Sequence, residues 1–241
     1  FRSLQNASGT PGLVARSVIP LEDGLRKREE AKDLPRRDRR EQWQPTADGT
    51  MYWKSDTSSD EIDGHFFAMY AYGRHIAQFD SEEKALLEKQ VRSVMDYIAA
   101  NGWVLMDWDG ERTTWGYWAP ELINHDPTHY GDGGLNSLQL LSFLKTTHYL
   151  TGDPKYKQHY ETFIAEHEYL SNVLMEKRIF PDTNNHSDNQ LAYVAWYPIL
   201  QLEWDPKVRE ALHRSVRRHY QIVADECSSF FDLVTATIDP Y

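Results

Sequence analysis

Cysteine is almost absent from this sequence of 241 residues, which contains Cys227 alone. A single thiol excludes an intrachain disulfide, and it also excludes the paired-cysteine spacing of zinc sites. Long apolar runs are missing as well, so the sequence predicts no transmembrane helix and no membrane partner. These absences indicate a soluble protein. They leave its compartment open, with secretion or a periplasmic location as options.

Positive charge is scarce: 26 Lys and Arg residues face 37 Asp and Glu residues, which gives a formal net charge of -11. Nucleic-acid binding depends on a basic surface, so the sequence predicts no nucleic-acid partner. A local Arg or His cluster could still bind an anionic ligand. Aromatic residues, in contrast, are plentiful, with 8 Trp, 14 Tyr and 9 Phe. Such a supply suits a wide core or a binding cleft with stacking surfaces.

Helical periodicity begins only after residue 57. We therefore predict an irregular N-terminal segment over residues 1–57 and a helical domain over residues 58–241. Ser58 and Glu61 have the spacing of a capping box, which predicts a helix start at Ser58 or Ser59. Apolar residues at helical intervals, separated by Asp-containing turns, then predict three helical hairpins. These pair 59–79 with 82–100, 134–151 with 154–175, and 188–203 with 206–226.

A short β-hairpin is predicted between the first and second helical hairpins. Asp109-Gly110 separates two runs rich in aromatic and β-branched residues within 103–118, and Asp-Gly at such a position is a strong hairpin signal. The segment precedes the first helix of the second helical hairpin, as do the His-rich residues 121–130. We expect both to form rim loops.

The first helix of each pair opens on an aspartate, namely Asp60, Asp132 or Asp188. The second helices are more charged and amphipathic, so the simplest arrangement places them outside the first helices. The predicted fold is therefore all-α: repeated helical hairpins that form an (α/α) toroid or part of one, with a small β-hairpin in a rim loop. A six-hairpin toroid needs more helices, so the domain is either part of a longer toroid or a smaller, open array.

These acidic helix starts, the Thr151-Gly152-Asp153-Pro154 turn and the aromatic rim loops resemble carbohydrate-active (α/α)-toroid enzymes. Unsaturated glucuronyl hydrolases and related uronate-acting families are the groups that the chain looks like, over roughly residues 50–226. The resemblance implies an oligosaccharide or polysaccharide partner and glycan-degrading activity. It lies in the architecture, and no catalytic residue is carried over from those families.

Paired carboxylates on converging loops are typical catalytic residues of glycoside hydrolases. One delivers a proton, and the other activates water or attacks the sugar. Helix capping is the alternative explanation for an aspartate at a helix start. His65, one turn into the first helix, could serve in acid/base catalysis or be a core residue. The predicted catalytic residues are Asp60, Asp63, Asp132, Asp188 and His65.

Substrate contacts are predicted from the aromatic and polar residues of the rim. Tryptophan faces can stack on sugar rings, or else pack locally, and the planar fork of Arg112 can meet a substrate carboxylate. The tryptophans are Trp53, Trp108, Trp115 and Trp118. The polar rim residues are His125, His129, Tyr130, Asn184, Asn185 and His186.

Two alternatives to a hydrolase stay open. A polysaccharide lyase would use the rim His and Tyr residues to remove the proton beside a uronate carboxylate. A non-catalytic module would bind glycan or protein through its aromatic rim, with its aspartates turned back to cap their own helices. The histidines have no recognised metal-ligand spacing, so the sequence predicts no metal and no cofactor.

Overall fold

The computed structural model describes residues 1–30, 43–176 and 185–238. Helices account for 67% of the structure and strands for 9%, which confirms the mainly helical class. The chain divides into two compact units. The first contains residues 1–68 and 76–117, and the second contains residues 69–75 and 118–241.

The first unit combines helices with two small antiparallel sheets. Its helices are α1 (Arg2–Asn6), α2 (Leu21–Glu30), α4 (Ser81–Ala100) and the first part of α3 (Ser59–His75), with a 3-10 turn at Ala77–Phe79. Its strands are β1 (Ser17–Pro20), β2 (Trp43–Pro45), β3 (Met51–Lys54), β4 (Val104–Met106) and β5 (Arg112–Tyr117).

The prediction of an irregular segment over 1–57 is corrected by this structure. Strand β3 lies between β1 and β2, with Val18 and Gln44 on either side of Trp53. Trp53 is packed with Ala7 and Leu13 in a small core. Local periodicity could not reveal this sheet, because β1 and β3 are joined by strand pairing between residues more than 30 positions apart in the sequence.

The predicted start of α3 is confirmed. Its first residue is Ser59, and the Glu61 carboxylate accepts hydrogen bonds from the Ser58 N–H and the Ser58 hydroxyl, both at 2.7 Å. The Glu61 side chain thus satisfies a backbone donor that precedes the helix, as in a capping box. Asp80 caps α4 in a similar way through the N–H groups of Glu82 and Glu83.

The predicted β-hairpin is also confirmed, as β4 and β5 pair in antiparallel fashion. Its turn is closed by hydrogen bonds between Asp107 and Glu111 and between Gly110 and Asp107. Gly110 has a φ of +78°, a conformation that glycine adopts at little cost. Leu105 is buried in the first unit and anchors the hairpin.

The described residues of the second unit form helices joined by loops, and the unit is built around α6. Its complete helices are α5 (Pro120–Ile123), α6 (Gly133–Thr151), α7 (Pro154–Glu166), α8 (Tyr169–Val173), α9 (His186–Leu202), α10 (Pro206–Val223) and α11 (Ser229–Ala236). Helix α6 contacts α7, α8 and α9. Its buried residues lie on all sides, and Ser142 donates a hydrogen bond to the Ala195 carbonyl of α9 at 2.7 Å.

The second and third helical hairpins follow the predicted turns. Asp153 caps α7 and Asp205 caps α10 through backbone N–H groups, and a proline follows each aspartate at the first helical position. One boundary is corrected. The helix predicted over 154–175 ends at Glu166 and resumes at Tyr169, since Glu168 has a left-handed φ of +59°.

Among the described residues, none of the helices combines the length and the apolar character needed to cross a membrane.

Candidate functional site

A polar cavity of about 430 Å³ opens at the N-terminal end of α6, in the second unit. We call it the Tyr130 cavity, after the exposed ring at its edge. It contains two of the predicted rim residues, His125 and Tyr130. The other side chains of chemical interest that line it are Asn124, Glu166, His167, Glu168, Ser171 and Asn172.

The break between α7 and α8 shapes this cavity. Glu168 adopts a left-handed backbone conformation, which costs a non-glycine residue about 1 kcal/mol or more. Asn124 holds the break in place, because its side-chain amide donates to the His167 carbonyl at 2.7 Å. Asn172 in turn donates to the Asn124 side-chain oxygen at 2.8 Å. The loop before α6 and the α7–α8 turn are therefore joined as one wall.

Close backbone packing positions the start of α6 in this wall. A Cβ atom on Gly134 would lie 2.4 Å from the Cα atom of Glu176, so only glycine fits there. Gly131 and Gly133 line the cavity, and Asp132 lies between them in the chain. Asp132 is the N-cap residue of α6 but makes no side-chain capping bond. The proximity of its carboxylate to the N-terminus of α6 is nevertheless favourable, because the helix dipole stabilises negative charge there.

The chemistry available in the Tyr130 cavity is proton transfer and polar recognition. Glu166 and Glu168 are both exposed carboxylates, separated in sequence only by His167. Carboxyl, imidazole and phenol groups are the usual donors and acceptors of general acid–base catalysis. The ring of Tyr130, 63% exposed, offers an apolar face beside them.

A second cluster of carboxylates lies in the first unit, at the junction of β3, α3 and the β-hairpin. The Asp107 carboxylate accepts the Asp56 N–H at 2.9 Å, and the Asp56 carboxylate accepts the Thr114 N–H at 2.7 Å. Asp56 has a φ of +54°, a strained value that these bonds hold in place. Burial raises the pKa of the Asp107 carboxyl to about 6.

Two of the predicted stacking residues are exposed and two are buried. Trp108 and Trp115 of the β-hairpin are 51% and 53% exposed, so both have ring surface available. Trp53 and Trp118 are 2% and 0% exposed, which corrects their assignment to substrate stacking. Trp53 belongs to the core below the sheet, and the Trp118 indole donates to Gln139 at 3.2 Å. Arg112 lies over the Tyr117 ring, 5.2 Å from its centre.

The predicted residues at the start of α3 differ widely in exposure. Asp60 is exposed and is contacted by the Ser59 hydroxyl at 3.3 Å, whereas Asp63 is buried. His65 is 5% exposed, with its Nδ1 atom 3.5 Å from the Gln5 amide. Burial lowers the pKa of His65 to about 4. His65 is therefore part of the packing of the first unit, as the alternative reading of its sequence position allowed.

Most of the remaining predicted site residues make helix-capping or surface contacts. Asn185 caps α9 and donates to Asp188 at 3.0 Å, so Asp188 takes part in a local cap. The His186 imidazole lies 3.1 Å from the Glu226 carboxylate. His129 lies 3.9 Å from Asp126 within its own turn. Asn184 lies outside the described residues.

Glu166, His167 and Glu168 were not predicted as site residues. A continuous helix over 154–175 would have left them as ordinary polar residues of an outer helix. No Gly, Pro or Asn marks the break, so the sequence carries no local signal for it. Asp56 and Asp107 were visible as acidic residues near aromatic ones, but their contact joins segments 51 positions apart.

Within the described ranges, no group of three or more His, Cys, Asp or Glu side chains has the arrangement of a metal site. Comparisons with protein-family models, with curated proteins and with solved structures give no match. Function is therefore inferred from the chemistry of the sites themselves.

Proposed function

We propose that the protein is a carbohydrate-active enzyme, a glycoside hydrolase that acts on a uronate-containing or otherwise polar glycan at the Tyr130 cavity. The observation that carries this proposal is the presence of two exposed carboxylates, Glu166 and Glu168, in one polar cavity. The helical hairpins of the second unit suit an (α/α)-toroid architecture, which is part of the same proposal. It requires no cofactor.

Hydrolysis at this cavity would use two carboxyl groups in different roles. One donates a proton to the glycosidic oxygen that leaves, while the other activates water or attacks the sugar carbon. Glu166 and Glu168 are the first pair to test. Asp132 is the third candidate, since it lies between two cavity-lining glycines in the chain. The Tyr130 ring can stack on the apolar face of a sugar.

A polysaccharide lyase is the second candidate, and a specific observation favours it. His125, Tyr130 and His167 line the same cavity as the two glutamates. A neutral imidazole or a phenolate could take the proton beside a uronate carboxylate, and the phenol could return a proton to the leaving oxygen. The cavity therefore offers both chemistries, and the two are separated by product.

A panel of acidic and neutral glycans tests the proposal, with new reducing ends and unsaturated-uronate absorbance measured in the same samples. We expect reducing ends without absorbance. Glu166→Gln and Glu168→Gln should then each reduce kcat at least about 100-fold, the scale of a lost acid or base. Glu210→Gln, at an exposed position on α10, is the matched control and should retain full activity.

Other outcomes discriminate among the alternatives. New absorbance, lost in His125→Ala or Tyr130→Phe but kept in the glutamate variants, would establish the lyase and reject the hydrolase. Loss of absorbance from unsaturated oligosaccharides would support the resemblance to glucuronyl hydrolases. Binding without any product, unaffected by the carboxylate variants, would reject both enzymes and leave the glycan-binding module.

A further inference from the structure

The second unit contains another cavity, of about 870 Å³, at the opposite end of α6. We call it the Trp204 cavity. The Tyr130 cavity is lined by residues of the first turn of α6, whereas this one is lined by Lys145, His148 and Tyr149 of its last turns. An α-helix rises about 1.5 Å per residue, so about 20 Å separates the two along the helix. A ligand here would not occupy the proposed catalytic site.

The floor of the Trp204 cavity is an ion pair in which the carboxylate is buried and already has partners on both oxygens. The Lys145 ammonium lies 2.8 Å from the Glu203 carboxylate, and the Tyr160 hydroxyl donates to the same carboxylate oxygen. The other Glu203 oxygen accepts the N–H groups of Trp204 and Asp205, at 2.7 and 2.8 Å. Glu203 thus has partners for both oxygens. Lys145 has three N–H donors and is 20% exposed.

This floor favours a ligand that supplies an acceptor oxygen. Lys145 can donate to it, while Glu203 is already engaged. The acceptor need not be charged, because Glu203 neutralises Lys145. A ligand carboxylate at Lys145 would also face the Glu203 carboxylate across the same ammonium group, which is unfavourable in a site of low dielectric constant.

The charges around the cavity wall balance in the same way. Three cationic side chains line it (Arg74, Lys145 and Lys157), and three carboxylates line it (Glu161, Glu203 and Asp205). Lys157 and Glu161 pair with each other at 3.5 Å, and Asp205 accepts two N–H groups at the start of α10. The lining therefore selects neither an anion nor a cation.

The rim of the cavity provides aromatic surface. Trp204 is 76% exposed and Tyr149 is 45% exposed, and both line the opening. The Arg209 guanidinium lies 5.9 Å from the centre of the Trp204 ring, which helps to hold the indole in place. Leu202 and Val208 extend the apolar lining inward. A cavity that offers aromatic and aliphatic surface beside paired charges, within the usual volume of small-molecule sites, suits a compact organic ligand.

We propose that the Trp204 cavity binds an uncharged aromatic ligand that carries an acceptor oxygen, with its ring against Trp204 and Tyr149 and its oxygen at Lys145. The proposal is independent of the reaction at the Tyr130 cavity. It also makes three separate demands on the ligand: a ring, an oxygen and neutrality.

Four single-ring probes test these demands on the full chain by saturation-transfer NMR and titration. Benzamide has all three properties, toluene lacks the oxygen, benzoate is an anion and benzylamine is a cation. We expect benzamide to bind at least about fivefold more tightly than each of the others, the scale of one hydrogen bond or one unfavourable charge contact. A tighter benzoate complex, or equal binding of all four, would overturn the proposal.

The variant Trp204→Ala tests whether benzamide binds in the Trp204 cavity. Because this side chain is mostly exposed, its removal should leave the fold intact while weakening benzamide about fivefold, the scale of one aromatic contact. Phe79→Ala removes a similarly exposed ring from the first unit, at a position with no proposed role, and should leave the affinity unchanged. Equal affinities in the two variants, or no detectable benzamide binding to the parent protein, would reject the site.

Discussion

Two buried titratable residues of the first unit have pKa values displaced in opposite senses by the same cause. Burial disfavours the charged form of each, so the pKa of His65 falls to about 4 while that of Asp107 rises to about 6. Both shifts act on stability between about pH 4 and pH 6.5. The two groups change the free energy of unfolding with pH in opposite directions, so their effects largely cancel in the parent protein. Replacing one residue at a time should make each effect measurable.

His65 should make the protein less stable in acid. Its folded-state pKa is about 4, below the unfolded value of about 6.5. The contribution is therefore complete above about pH 6.5 and is lost as pH falls towards 4, by up to about 3 kcal/mol. Urea unfolding at several pH values should show that His65→Gln loses less stability on acidification than the parent. His75→Gln, at an exposed position, is the control, and a parallel profile for His65→Gln would contradict the prediction.

Asp107 should act in the opposite direction. Its folded-state pKa is about 6, above the unfolded value of about 3.9, so the folded state binds the proton more tightly. Stability from this group is present below about pH 4 and is lost as pH rises through 6, by up to about 3 kcal/mol. Asp107→Asn should therefore gain less stability than the parent between pH 7 and pH 4.

Asp109→Asn, at an exposed position of the same hairpin, controls for this substitution. Asp107→Asn also changes the acceptor for the Asp56 and Trp108 N–H groups, which shifts stability at every pH. The diagnostic quantity is thus the slope of unfolding free energy with pH. If the slope for Asp107→Asn equals that of the parent, the pKa of the Asp107 carboxyl is not raised in the folded state.

Two helical glycines should respond to alanine in opposite ways. A Cβ atom on Gly64 of α3 meets nothing within 4 Å, so Gly64→Ala should stabilise the protein by about 0.5–1 kcal/mol through helix propensity. On Gly134 of α6 it would lie 2.4 Å from backbone atoms of Glu176, and the forced displacement should cost about 2 kcal/mol. Thermal unfolding of both variants measures the two changes in stability. Stabilisation by Gly134→Ala would contradict the prediction, because it would mean that a Cβ atom fits between α6 and Glu176.

The elements that were predicted correctly are those whose signals are local. Asp80, Asp153 and Asp205 begin α4, α7 and α10 as expected, because a cap and its N–H partners lie within three residues. The β1–β3–β2 sheet was missed, since its order depends on pairing between distant segments. The α7–α8 break was also missed, because a tertiary hydrogen bond from the Asn124 amide to the His167 carbonyl holds it there.

The candidate site shows the same contrast between local signals, which the sequence displays, and tertiary contacts, which it does not. His125 and Tyr130 were predicted from a rim loop and lie in the Tyr130 cavity, while Glu166 and Glu168 entered the site only through the helix break. Burial cannot be read from a single tryptophan in the sequence, so Trp53 and Trp118 could not be separated from Trp108 and Trp115.

At the scale of the whole molecule, charge should influence the proposed reaction. A net charge of -11 repels a polyanionic glycan over distances set by the Debye length, about 30 Å at 10 mM salt and about 8 Å at 150 mM. If the substrate is a uronate polymer, kcat/KM should rise severalfold across this range, because salt screens the repulsion during encounter. A neutral glycan of equal length is the control and should show no such rise. A fall in kcat/KM with salt would contradict this prediction, because it would mean that attraction and not repulsion governs the encounter.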